Sequence, residues 1–195
     1  QIDHYTAVNM RTFEKIVDAV GGIDVTLPET VDGRTTEDTS QRLLFPKGDH
    51  HLNGIQALTL ARIRIEGTFA RASNQDRVLC ALREKVTSPQ VVTNLPALIQ
   101  SFQGAVQTSL SPEELSQLAC LGTQLESRNI ILTSFPQELF EQDRVYDPVF
   151  KKRVFTWKVD YNILREYVQR FNSGAWPQAV TSSDQKQEGD STFCK

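Results

Sequence analysis

The sequence predicts an α/β domain, a mixed β-sheet flanked by helices in three layers, α-β-α. Two observations carry that expectation. Short apolar runs alternating with period two are interspersed with longer segments whose apolar residues recur at i, i+3, i+4 and i+7. Glycines, prolines and N-cap residues separate these segments where an element must stop. The chain has 195 residues, 39% hydrophobic and 23% charged, which is ordinary for a globular protein with a sizeable core.

Residues Ile2 to Met10 read as a strand. In the following segment Phe13, Ile16, Val17 and Val20 share one helix face, and Gly21 and Gly22 stop the helix. Ile23, Val25 and Leu27 alternate as a strand that Pro28 ends. The polar stretch 31–42 reads as a loop. A turn at Pro46 to Gly48 leads to Asn53, an N-cap for a short helix through Ala61. Residues 61–71 read as partly extended, with a turn at Gly67. Ser73 is the expected cap of the next helix, with Leu79, Leu82 and Val86 as its buried stripe.

A further helix is expected from Asn94. Ser111-Pro112-Glu113-Glu114 combines an N-cap, proline at the first position and a capping-box glutamate. Leu115, Leu118, Ala119, Gly122 and Leu125 then form that helix's buried side. Residues 129–135 form an apolar strand. In 153–160, Val154, Thr156 and Lys158 fall on one strand face, with Phe155, Trp157 and Val159 on the other. Tyr161, Leu164, Val168 and Phe171 define a last helix. Residues 1–178 are read as one domain with its helical extension, and 179–195 as a mobile polar tail.

A net charge of -3 argues against a nucleic-acid partner, which favours a basic excess. No apolar run approaches the roughly 18 residues of a membrane span. Three cysteines, Cys80, Cys120 and Cys194, are too few for a disulfide scaffold and lack metal-ligand spacing. Cys80 and Cys120 read as buried thiols, with one disulfide possible in an oxidising compartment. His50 and His51 are adjacent and point apart, which disfavours a metal site. His4 reads as a packed strand residue, Asp24 and Asp32 as turn or strand-edge acids, and Lys47 as a solvated turn. Asp18 reads at least as readily as a structural hydrogen-bond acceptor or an exposed charge as it does as a catalytic acid.

The unusual feature is Arg62-Ile63-Arg64, followed by Arg71, Gln75 and Arg77. In an extended segment Arg62 and Arg64 point the same way, and two guanidiniums on one face repel unless an anion or solvent lies between them. Arg71 and Gln75 become helix neighbours if the helix reaches back that far. Gln75 in a first turn would add free N–H groups and the helix dipole. Arginine suits a diphosphate because its planar fork grips phosphate oxygens in pairs and stays charged. The bland alternative is a set of solvated surface arginines.

The wider strings decide between these. Phe13 to Val25, the series Lys47, Gly48, His50, Leu52, Asn53, Gly54, Gln56, Ala57, Leu58, Arg62 and Arg64, and then Phe69, Arg71 and Gln75 resemble, in order, the signatures of the LytR–CpsA–Psr family. Segments 93–96 and 108–111 resemble its C-terminal extension. The resemblance implies an α/β fold with a hydrophobic channel for a polyprenyl chain. It implies that Arg62, Arg64, Arg71 and Gln75 bind the lipid pyrophosphate, with Arg62 and Arg64 acting in catalysis.

The implied reaction is phosphoryl transfer of a glycopolymer from polyprenyl pyrophosphate to peptidoglycan or another wall acceptor, assisted by Mg²⁺ or Mn²⁺. The implied place is the extracytoplasmic face of the cell membrane. Two positions depart from the pattern: Thr68 stands where the family has Asp, and Asn74 where it has Arg. The family's first half, with its metal-holding acids and N-terminal membrane anchor, is expected to lie outside this chain. The chain is therefore read as a truncated or cleaved piece, able to associate with its N-terminal fragment. A catalytically silent module for phosphorylated lipid or polymer and an envelope-related transcriptional regulator are the alternatives.

Overall fold

The computed structural model describes residues 3–65, 67–88, 91, 106–125, 131–177 and 191–193. The expected helix from Asn94 and most of the polar tail lie outside these residues. Backbone contacts divide the chain into two units, Gln1–Ile131 with Thr192–Lys195, and Leu132–Ser191.

In the first unit, β1 (Thr6–Val8) is shorter than expected because Asn9 caps a helix. Its side chain accepts the Thr12 N–H at 2.9 Å. β1 pairs antiparallel with β6 (Val106–Thr108). His4, expected to pack, is about half exposed and lies 4.0 Å from Glu114. Helix α1 (Met10–Ala19) buries Val17 and the following Val20, the predicted face. Gly21 and Gly22 leave it at φ 83° and 84°, conformations that side chains resist.

β2 (Ile23–Leu27) pairs antiparallel with β5 (Gly48–Leu52). Ile23, Val25 and Leu27 face the core, as the alternation predicts. On the outer face His51 Nδ1 lies 2.6 Å from Asp24 Oδ1, and Thr26 donates to Asp49 at 2.6 Å. His50 turns the other way, with Nε2 2.6 Å from the Pro46 carbonyl and its ring edge-on to Phe45. The two histidines thus diverge as adjacent strand residues must. The segment read as loop holds β3 (Val31–Asp32), paired with β4 (Leu44–Phe45) beyond a 3₁₀ turn at Gln41–Leu43.

α2 (Gly54–Arg62) opens with the N-cap predicted at Asn53, here completed as a capping box: its side chain accepts from Gln56 N–H, and the Gln56 side chain accepts from Asn53 N–H. Ala57 and Leu60 are fully buried. The start of α2 touches α1 backbone to backbone. A Cβ built on Gly54 would lie 2.1 Å from the Glu14 carbonyl oxygen. Asp18 reaches across to accept the Gly54 N–H at 2.7 Å, so this acid is a structural acceptor that caps α2 from the neighbouring helix.

α3 (Thr68–Val86) starts five residues before the expected cap. Gly67, at φ 100°, precedes it, and Ser73 is a buried interior residue. The buried side is Asn74, Val78 and Ala81, whereas Leu79 from the expected stripe is exposed. Cys80 is buried and disulfide-bonded, not a free thiol, and Cys120, expected to be buried, is exposed. Cys194 lies outside the described residues. α4 (Pro112–Gln124) carries the predicted capping box between Ser111 and Glu114. Leu118 on its expected buried side is exposed.

β7 (Ile131–Thr133) pairs with β10 (Ser191–Phe193), a strand inside the segment read as tail. In the second unit β8 (Glu141–Asp147) forms a hairpin with β9 (Lys152–Lys158). α5 (Tyr161–Asn172) is capped by Asp160, which accepts the Asn162 N–H at 2.8 Å. Trp176 gathers Phe135, Tyr167 and Phe171 around itself, with ring centroids 5.0 to 6.2 Å away. The α/β class thus holds, and among the described residues its strands pair as small antiparallel units between helices.

Two outcomes follow from this packing. Gly54→Ala, which in an exposed helix would stabilise, should here destabilise by about 2–3 kcal/mol in urea unfolding, because the added methyl meets backbone that cannot yield. Arg34 donates its Nε, Nη2 and backbone N–H to Asp32 at 2.9, 2.7 and 3.0 Å. The side-chain bond first, and the backbone bond second, hold the Asp32 carboxyl at about 2, below its ordinary 3.8. A depressed carboxylate stabilises above its unfolded pKa, and that contribution fades as pH falls from about 4 toward 2. Carboxyl NMR titration should place Asp32 near 2, and return it toward its ordinary value in Arg34→Gln.

Candidate functional site

Arg62 is the last residue of α2, not part of an extended run. Ile63 leaves the helix at φ -59° and ψ 132° and turns inward, where it is buried. Arg62 and Arg64, on either side of it, are exposed. The extended run from which a common direction was expected is absent: the two arginines flank a buried apolar anchor. That anchor has a specific seat: a Cβ built on Gly33 would lie 2.7 Å from Ile63 Cγ1. Gly33 is itself held by its N–H, which donates to the Leu43 carbonyl at 2.8 Å. The Asp32–Arg34 pair brackets this glycine.

Gln75 sits two turns into α3, so the first-turn helix-dipole argument does not apply to it. Its Nε2 donates to the Ala61 carbonyl at 3.1 Å, one residue before Arg62. That bond ties the second turn of α3 to the last turn of α2. Arg71, one turn before Gln75, lies on the same face of α3. The backbone N–H groups near the start of α3 precede it, with Gly67 at the cap and no side chain capping them.

Arg71 is partly buried, and its Nε is enclosed with no hydrogen-bond partner; the buried Ser73 Oγ shares that condition. A buried cationic N–H without a partner is costly, and an anion supplied from outside removes that cost. Among the described residues no carboxylate pairs with Arg62, Arg64 or Arg71. Two of the departures from the family pattern also find their places. Thr68 is the exposed first residue of α3. Asn74 is buried and accepts from Arg77 Nη1 at 3.1 Å, so at this point the cation belongs to residue 77.

The structure thus brings Gln75 to the end of α2, with Arg71 one turn away on the same helix, while Arg62 and Arg64 are exposed on either side of the buried Ile63. Sequence reasoning missed Gly33 and Ile63. Only the D-G-R tripeptide hinted at a turn there, and nothing local says which side chain packs on that glycine. Among the described residues no three His, Cys, Asp or Glu side chains come together as a metal site, so the ligand set for a divalent ion is not found in them.

The family profile described as the LytR_cpsA_psr family matches residues 1–160. A polyisoprenyl-teichoic acid–peptidoglycan teichoic acid transferase, TagV of Bacillus subtilis, is 34% identical over 112 residues, 56% of this chain and 29% of that protein. TagU of Bacillus cereus, with the same description, is 36% identical over 119 residues, 58% of this chain and 36% of that protein. The chain thus spans about a third of the length of these curated relatives. The crystal structure of B. subtilis TagV superposes with a TM-score of 0.63 at 25% identity, over 92% of this chain and 66% of that one. With a profile match over four-fifths of its residues and this shared fold, the chain belongs to the LytR–CpsA–Psr family.

Proposed function

We propose that this chain is the pyrophosphate-gripping part of a cell-envelope phosphotransferase that moves a glycopolymer from a polyprenyl pyrophosphate carrier to peptidoglycan. The observation that carries the reading is Arg71, whose enclosed Nε has no protein partner and stands one helical turn from the pinned Gln75. The relatives named above act, by their names, on polyisoprenyl-teichoic acid and peptidoglycan. The disulfide at Cys80 fits the oxidising side of the membrane. No described helix is long and apolar enough to cross a bilayer.

On this reading Arg62, Arg64 and Arg71 face the non-bridging oxygens of the diphosphate. Their fixed positive charge stabilises oxygen charge that builds up as the acceptor hydroxyl attacks and polyprenyl phosphate leaves. Gln75 keeps its Oε1 free while Nε2 holds the helix, and so offers an acceptor beside the cations. Ile63 and Gly33 set the direction of Arg62 and Arg64, and orientation of this kind is a large part of phosphoryl-transfer catalysis. Exposed Ile65, next to Arg64, gives the prenyl chain an apolar surface. A divalent cation, Mg²⁺ or Mn²⁺, belongs to the same proposal, with its acids supplied by sequence outside the described residues. Hydrolysis of the pyrophosphate is the side activity that the same proposal entails.

The lack of an acidic cluster among the described residues favours a second reading, in which this chain alone binds phosphorylated lipid without turning it over. One titration series separates the two. Arg64→Ala and Arg71→Ala should each weaken farnesyl diphosphate binding by about 2 kcal/mol, roughly 30-fold, because each loses a charge-assisted contact. Arg42→Ala, paired with Asp38 elsewhere, should leave it unchanged. Unchanged affinity in both site variants removes the pyrophosphate reading. Binding without phosphate release in the presence of Mg²⁺ selects the silent module.

A further inference from the structure

The hairpin of the second unit ends in the sequence Asp147-Pro148-Val149-Phe150-Lys151-Lys152-Arg153. Its loop is built, not slack. Asp147 Oδ1 accepts the N–H of Val149 at 2.7 Å and of Phe150 at 3.0 Å. Lys151 adopts φ 51° to turn the chain back into β9. The register closes at Asp147 opposite Lys152. This frame holds two apolar side chains out at the end of the hairpin: Val149 is 81% exposed and Phe150 67%. Val149 is the most exposed large apolar residue among those described, Phe150 stands beside it, and two hydrogen bonds of the loop hold them there.

Charge is layered behind them. Lys151, Lys152 and Arg153 follow directly, and the one carboxylate at the tip, Asp147, is engaged in the loop. Arg153 lies opposite Tyr146, which is 59% exposed. The remaining hairpin acids stand farther back: Asp143 is opposite Thr156, and Glu141 is opposite Lys158. From the tip inward, apolar residues come first, then cations with Tyr146 on the rung of Arg153, then mixed charge. That order matches a bilayer edge, where acyl chains lie beneath anionic headgroups and aromatic rings sit at headgroup level. A soluble anionic polymer would use the cations but would leave Val149 and Phe150 without a purpose.

We infer that the tip of the β8–β9 hairpin docks onto an anionic lipid bilayer, with Val149 and Phe150 entering the headgroup boundary and Lys151 and Lys152 meeting lipid phosphates. The contact is peripheral. It would hold the protein at the surface that carries a lipid-linked substrate, yet it draws on none of the arginine-site residues. It therefore stands or falls independently of the proposed reaction.

The test is co-sedimentation of the full chain with vesicles of equal parts phosphatidylglycerol and phosphatidylcholine, without any prenyl substrate. Binding should weaken about tenfold in Phe150→Ser and disappear in Val149→Ser/Phe150→Ser. Both serines keep the backbone N–H groups that Asp147 holds. Lys151→Gly preserves the left-handed turn while removing one charge, and should cost about fivefold. Ile55→Ser, an equally exposed site at the start of α2, should bind as the parent does. Three outcomes overturn the inference. The first is tip variants that sediment with vesicles like the parent. The second is full displacement by soluble polyphosphate with the serine variants unaffected, which would make the tip a polymer site. A parent dimer dispersed by Phe150→Ser would make it a self-association contact.

Discussion

The contact on which the first unit depends is the approach of α2 to α1 at Gly54. There the two backbones lie so close that even a methyl group would overlap the Glu14 carbonyl. Asp18 reinforces the contact by accepting the Gly54 N–H, giving the start of α2 a carboxylate cap from the neighbouring helix. Once that crossing is set, Ala57 and Leu60 fall into the core with Ile23 and Leu27. The C-terminal end of α2, and Arg62 with it, is then delivered to a fixed place. A helix only nine residues long owes this placement to packing more than to propensity.

From that end the site is assembled by unequal means. An apolar residue aims two cations: Ile63 drops onto Gly33 and leaves Arg62 and Arg64 outward. A neutral amide ties two helices: Gln75 holds the Ala61 carbonyl and presents the face of α3 that carries Arg71. None of these arginines meets a carboxylate among the described residues, so their mutual repulsion is left for solvent or an anion to screen. The enclosed Nε of Arg71 cannot rely on solvent, and that separates this cluster from a solvated basic edge.

Much of this was legible in the sequence because local chemistry enforced it. The N-cap at Asn53, the box at Ser111, the alternation of Ile23, Val25 and Leu27, and the glycine stop after α1 are all contained in a few adjacent residues. The arginines and Gln75 were singled out as a group only through the resemblance to a family, and the hydrogen bond among them ties Gln75 to the end of α2. The start of α3 was not: Ser73 offers a hydroxyl and Gly67 none, yet Gly67's backbone freedom decided the boundary. β8 was missed because Glu141-Gln142-Asp143-Arg144 has no apolar alternation, and its pairing with β9 supplies what its own residues lack. The burial of Asn74 and the exposure of Leu79 show that the face α3 buries is chosen by what packs against it, not by its most apolar stripe.

The most direct measurement of the site is a proton–nitrogen NMR titration that watches arginine Nε–H signals as farnesyl diphosphate is added. The account predicts that Arg71 shows the largest shift and slowed solvent exchange, with Arg62 and Arg64 following at the same midpoint. Shifts confined to arginines such as Arg11, Arg42 or Arg165, with Arg71 unmoved, would contradict it.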